Sequence, residues 1–145
     1  MRGALRWGLL VAASALGCGD DAVTADAGAP TWEAVQAVVS RSCTFSSCHG
    51  AMRAFPRLSA DVAYTALTTE MSMQAPSLRL VTPGDPAQSW LMHKLDGTMG
   101  ARPECAADRA RCGASMPMGA DLLPAAEREL IRAWIRAGAP GPRDR

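Results

Sequence analysis

Hydrophobic residues recur at helical spacing at both ends of the region that we expect to fold. The first run predicts a helix over residues 32–42, which Thr31 can cap. The last run predicts a helix that Pro124 opens and that Gly138 ends. We expect the two helices to share a core formed by Trp32, Val35, Val39, Ile131, Trp134 and Ile135.

Two shorter amphipathic stretches predict helices in the middle of the chain. One covers residues 60–69, with Ser59 as its N-cap. The other follows Asp85 and Pro86, a cap and a proline suited to the first helical position, and ends at Gly97.

The remaining segments predict loops. The stretch 46–56 contains glycine and proline and has no clean period, and residues 98–120 form a long loop of the same kind. The apolar residues 78–81 are too few and too isolated to indicate a sheet. The pattern therefore predicts an all-α domain of about four helices.

Composition favours one globular domain and excludes some partners. The 145 residues are 48% hydrophobic and 20% charged, which is typical of a chain that can form a packed core. The net charge is only +1, with 15 basic against 14 acidic residues. We therefore expect no nucleic-acid partner, because binding a phosphate backbone requires clustered cations.

The N-terminus resembles a bacterial export signal of the lipoprotein type. Residues 1–17 combine Arg2 and Arg6 with an apolar run well below the roughly 20 residues that span a membrane. The sequence before Cys18 resembles a lipobox, which implies cleavage there and lipidation of the thiol. An ordinary cleavable signal next to an unrelated cysteine is the alternative.

These features predict how the exported protein is organised. Residues 18–30 are small and acidic and suit a flexible tether, residues 31–140 form the domain, and residues 141–145 form a tail. Loss of Arg2 and Arg6 leaves 13 basic against 14 acidic residues, so the exported chain is nearly neutral. We expect a lipoprotein in the periplasm or anchored at the outer membrane, which contacts the membrane only through the Cys18 lipid.

The sequence that follows the first predicted helix has the chemistry of covalent haem attachment. Cys43 and Cys48 are followed directly by His49 and Gly50. Two thiols can add to the vinyl groups of a haem while the adjacent imidazole binds the iron. The usual spacing is C-x-x-C-H, whereas four residues separate these cysteines.

Beyond this motif, the chain resembles the small c-type cytochrome domains of exported planctomycete and myxobacterial proteins. The resemblance covers residues 31–140 and rests on the order of short motifs along the chain. In chain order these motifs are Cys43 to Gly50, Leu58 to Leu67, Val81 to Pro86 with Ser89 and Leu91, Lys94 and Leu95 with Gly97, Met116 and Pro117, Trp134 and Ile135, and Gly138 to Pro140.

The resemblance implies a cytochrome c fold in which the first and last helices cross. It also implies haem c, with thioether bonds from Cys43 and Cys48, and His49 as an axial ligand of the iron. Met116 would be the second axial ligand, with Met118 or His93 as alternatives. The implied function is extracytoplasmic electron transfer with a redox partner protein, as an electron carrier and not an enzyme.

The second pair of cysteines has a structural interpretation. Cys105 and Cys112 enclose six residues just before Met116. A disulfide there would restrain the ligand loop in the unfolded chain and add about 2–3 kcal/mol to the free energy of unfolding. A zinc site built from both pairs and His49 is an alternative. If Cys43 and Cys48 also formed a disulfide, the protein would be a haem-free helical lipoprotein that acts in binding or as a structural module.

Overall fold

The computed structural model describes residues 30–51 and 54–142. The predicted signal, the lipidated Cys18 and most of the predicted tether and tail lie outside the described residues. Over the described ranges the chain forms α-helices and isolated β-bridges without a β-strand, which confirms the all-α class. The helices are α1 (Trp32–Ser42), α2 (Ala63–Thr69), α3 (Trp90–Asp96), α4 (Pro103–Ala107), α5 (Arg109–Cys112) and α6 (Ala125–Arg136).

An aromatic cluster within the core lies between α1, α2 and α6. The ring of Trp32 on α1 lies 5.5 Å from that of Trp134 on α6 and 5.3 Å from that of Tyr64 on α2. Two hydrogen bonds hold the chain after α6 to this cluster. The Tyr64 hydroxyl donates to the carbonyl of Ala139, and the Trp134 Nε1–H donates to that of Pro140. The six predicted core residues are all buried: Trp32, Val35, Val39, Ile131, Trp134 and Ile135.

The predicted count of four helices is wrong because the loop 98–120 is not uniformly irregular. It contains α4 and α5 as well as a 3-10 turn at Met99–Ala101. Pro103 occupies the first helical position of α4, and the Asp108 side chain accepts hydrogen bonds from two N–H groups at the start of α5.

The two middle helices are shorter than predicted. Helix α2 begins at Ala63, because the Ser59 hydroxyl donates to Asp61 and accepts from Arg57 instead of capping the helix. Asp85 does cap the turn that Pro86 opens, but this 3-10 turn ends at Gln88. Buried Ser89 is extended, and α3 starts after it.

Helix α3 is joined to α6 by a carboxylate between two guanidinium groups. Each oxygen of Asp96 lies 2.7 Å from a nitrogen of either Arg128 or Arg132. Burial alone would raise the pKa of Asp96, but the hydrogen bonds and charges of the two arginines lower it below its usual range. The ionised carboxylate therefore stabilises the fold.

Replacement of Asp96 by Asn is expected to lower the free energy of unfolding by about 1 kcal/mol at neutral pH. Because the folded-state pKa is lowered, this stabilisation is present above about pH 4 and is lost as the pH falls further. Urea unfolding of both proteins at pH 7 and at pH 3 measures the difference. Asp121→Asn, at an exposed aspartate, is the control, and an equal loss in both variants would contradict the role of the ion pairs.

Candidate functional site

The segment that follows α1 folds back on itself and brings the cysteine–histidine motif together. The N–H of Cys43 continues the helix by donating to the Val39 carbonyl at 2.8 Å. The N–H of His49 then donates to the Cys43 carbonyl at 3.1 Å, and that of Cys48 donates to the Phe45 carbonyl at 2.8 Å. The four-residue spacer is thus a closed turn that returns His49 to the end of the helix.

Gly50 allows this closure through a close backbone approach. A Cβ at Gly50 would overlap the carbonyl oxygen of Thr44, which is backbone and cannot swing aside. The Gly50 N–H also donates to the Phe45 carbonyl at 3.3 Å. The glycine after His49 therefore has a steric role in the turn.

The orientation of the His49 imidazole is set by a hydrogen bond at one of its two ring nitrogens. Nδ1 lies 2.7 Å from the carbonyl oxygen of Pro56. Because a carbonyl only accepts, Nδ1 carries the hydrogen, and in the neutral imidazole Nε2 carries the lone pair. A metal-binding histidine commonly donates its other ring N–H to a carbonyl in this way. The hydrogen bond at Nδ1 therefore leaves Nε2 as the ring nitrogen that could bind a metal.

One cavity of about 630 Å³ is lined by five of the six residues predicted to attach the haem or bind its iron. Its volume is within the roughly 300–1,000 Å³ of pockets that bury cofactors and similar ligands. Cys43, Cys48 and His49 line it, and so do Met116 and Met118 from the loop before α6. Apolar side chains form much of the remaining wall, namely Phe45, Phe55, Leu58, Leu67, Met73, Leu80, Trp90, Leu91 and Leu95.

The two candidate methionines differ in how they are held. Met116 is half-buried, packs against the core, and its N–H donates to the Lys94 carbonyl at 2.9 Å. Met118 is 71% exposed. Met116 therefore has the more restrained backbone and the more sheltered thioether.

His93 does not line this cavity. Its Nδ1 lies 3.0 Å from the hydroxyl of Thr98, and its Nε2 lies 3.1 Å from the carbonyl oxygen of Ala87. Both ring nitrogens therefore have partners on the protein surface. The structure brings together the predicted ligands other than His93.

Cys43 and Cys48 are free thiols in the structure. Burial, with smaller contributions from the charges of Cys48 and Glu127, raises the pKa of Cys43 to about 11. The Cys43 sulfur is therefore a protonated thiol at neutral pH and not a thiolate.

The second cysteine pair lies outside the cavity and forms the predicted disulfide. Cys105 and Cys112 are joined, with 5.6 Å between their Cα atoms, and both are buried. The disulfide removes these sulfurs from the ligand set of a zinc site. Among the described residues, no group of three or more His, Cys, Asp and Glu side chains is placed to hold a metal ion. A His and a Met on a haem iron do not require such a group.

The apolar wall and Lys94 were not predicted as parts of a site. Leu58, Leu67 and Leu80 have the sequence signature of ordinary core residues, and their position around a cavity depends on tertiary packing. Lys94 offered one signal, because it is the only lysine of the chain.

Comparison with known protein families, with curated proteins and with solved structures finds no match to this chain. Within the described part of the chain, every helix is too short or too polar to cross a membrane.

Gly50→Ala is expected to open the turn between Cys43 and His49 and to lower the free energy of unfolding by about 1–3 kcal/mol. Thermal and urea unfolding measure this loss. Gly100→Ala is the matched control, because a Cβ at Gly100 would meet no atom within 4 Å. Equal stability of the two variants would show that the close approach at Gly50 does not shape the turn.

Proposed function

We propose that this chain is an exported, lipid-anchored electron-transfer protein that binds one haem c in the manner of a small c-type cytochrome. The main support is the cavity, which collects two free thiols, an oriented imidazole and a thioether from separate parts of the chain. The cysteines and histidine come from the end of α1, whereas Met116 comes from the loop before α6. This donor set fits a haem.

His49 Nε2 and the Met116 thioether would be the two ligands that the protein provides to the iron. The lone pair on His49 Nε2 is available because Nδ1 is bound to the Pro56 carbonyl. A bound haem supplies an iron that gains and loses one electron, and a thioether ligand raises its reduction potential. Because both His49 and Met116 would bind the iron, we propose a carrier and not a catalyst.

Cys43 and Cys48 would attach the haem through thioether bonds. Each thiol would supply the sulfur of one thioether bond together with the hydrogen that balances the addition, so no oxidant would be needed. The protonated state of Cys43 agrees with this balance, because the S–H supplies the hydrogen. The closed turn between the cysteines accommodates the four-residue spacer.

The apolar wall would exclude water from the cofactor. Leucines and Trp90 line the interior, and such a shell controls the local dielectric and hence the reduction potential. Phe45, Phe55 and Met73 line the same cavity and are 62%, 46% and 70% exposed, so the cavity opens to solvent. A redox partner protein would approach from this side.

The same proposal includes a cytochrome c-like fold in which α1 and α6 cross. Burial of Trp32 and Trp134 against each other supports a direct contact of these helices. Residues 1–17 would direct export, Cys18 would carry the lipid, and residues 18–30 would tether the domain in the periplasm or at the outer membrane.

The haem is tested by spectra of the protein exported from a host that attaches haem to cytochromes. We expect sharp bands after reduction and retention of the colour by the protein after acid–acetone extraction. Replacement of His49 by Ala should abolish the low-spin spectrum, while His93→Ala should retain it, because only His49 lines the cavity. Haem-free protein with a Cys43–Cys48 disulfide would instead support a binding or structural module.

Met116→Leu is expected to remove the weak band that a methionine–iron bond gives at the red end of the oxidised spectrum. Met118→Leu is the matched control and should retain the band, since Met118 is largely exposed. The oxidised spectra of the two variants measure the effect. The opposite result would assign the ligand to Met118.

A further inference from the structure

Lys94 places a buried positive charge in the wall of the cavity. The residue lies on α3, is 6% exposed, and lines the cavity together with apolar neighbours such as Trp90 and Leu95. Apart from the titratable His49, it is the only basic residue among the described lining residues, and no Asp or Glu accompanies it there.

The protein provides acceptors for only part of the hydrogen-bond donors of this ammonium group. Nζ donates to the Cys112 carbonyl at 2.8 Å and lies 5.8 Å from the centre of the Trp90 ring. An ammonium group has three N–H donors. Over residues 30–51 and 54–142, no carboxylate lies within ion-pair distance of Lys94, although other cations of the chain do form such pairs.

A buried charge without a counterion is unfavourable. An anionic group in the cavity would offset this by accepting from Nζ, and a carboxylate forms strong charge-assisted hydrogen bonds with ammonium groups. The rest of the cavity wall is mainly apolar, so the matching ligand is a largely apolar body that carries a carboxylate.

We infer that Lys94 binds a carboxylate group of the ligand that fills this cavity. The inference rests on the proposed function, under which that group is a propionate of the haem. The disulfide serves the same purpose, because it fixes the Cys112 carbonyl that holds Nζ in place.

The first test compares two metal-free porphyrins, protoporphyrin IX and its dimethyl ester, which differ in their carboxylates and contain no iron for His49 or Met116 to bind. Fluorescence titration of the haem-free chain with reduced thiols gives both affinities. We expect the diacid to bind at least about tenfold more tightly, as a charged hydrogen bond implies. Equal affinities would overturn the assignment of Lys94 while leaving the porphyrin cavity intact.

The second test removes the charge. Lys94→Met replaces the lysine with an unbranched, uncharged side chain that is one atom shorter. The variant should lose the preference for the diacid while retaining its affinity for the dimethyl ester. Arg136→Met, which removes an exposed cation that does not line the cavity, should keep the preference. Circular dichroism verifies that both variants fold.

The remaining outcomes are also decisive. A preference for the diacid that survives in Lys94→Met would overturn the inference, since another group would then bind the carboxylate. If the Lys94 variant does not fold, equal binding of the two porphyrins by the unaltered chain still overturns it. A chain that binds neither porphyrin would contradict the haem proposal itself.

Discussion

Contact between the first and last helices determines where the candidate site forms. Trp134 is fully buried on α6, and its ring packs against Trp32 on α1. Cys43 is the residue directly after α1, so the position of α1 on α6 fixes the first thiol in space. The Cys43 carbonyl then receives the N–H of His49, which places the imidazole relative to the same helix end. Hydrophobic burial therefore positions a polar motif that contributes little to the core itself.

The strongly amphipathic helices were predictable because their signals are local. Residues 32–42 were predicted as a helix and form α1, and the helix predicted after Pro124 is α6. The middle helices were less predictable because two serines form contacts that no periodicity reveals. The Ser89 hydroxyl donates to the Asp85 carbonyl at 2.8 Å and accepts from the Thr82 N–H at 2.9 Å. These contacts hold Ser89 in an extended conformation and separate the turn at Pro86 from α3.

The candidate site was predictable to the extent that its chemistry lies in short motifs. Cys43, Cys48 and His49 lie close together in sequence, and the resemblance predicted Met116 as a ligand. All four residues line one cavity. The wall of the cavity was not predictable, because Leu58, Leu67 and Leu80 come from separate segments and have the character of core residues. A sequence pattern indicates that such residues are buried but not which of them border a cavity.

Helix α3 connects the loop that carries Met116 to α6. Its Asp96 bonds to Arg128 and Arg132 of α6, which itself packs against α1 and hence against the base of the cysteine motif. Two residues earlier, Lys94 donates its Nζ hydrogen to Cys112, and its carbonyl accepts from the N–H of Met116. The loop that carries Met116 is therefore bonded to α3, the same helix that is bonded to α6. Because the imidazole and the thioether arrive from distant parts of the chain, this shared attachment keeps both at the wall of one cavity.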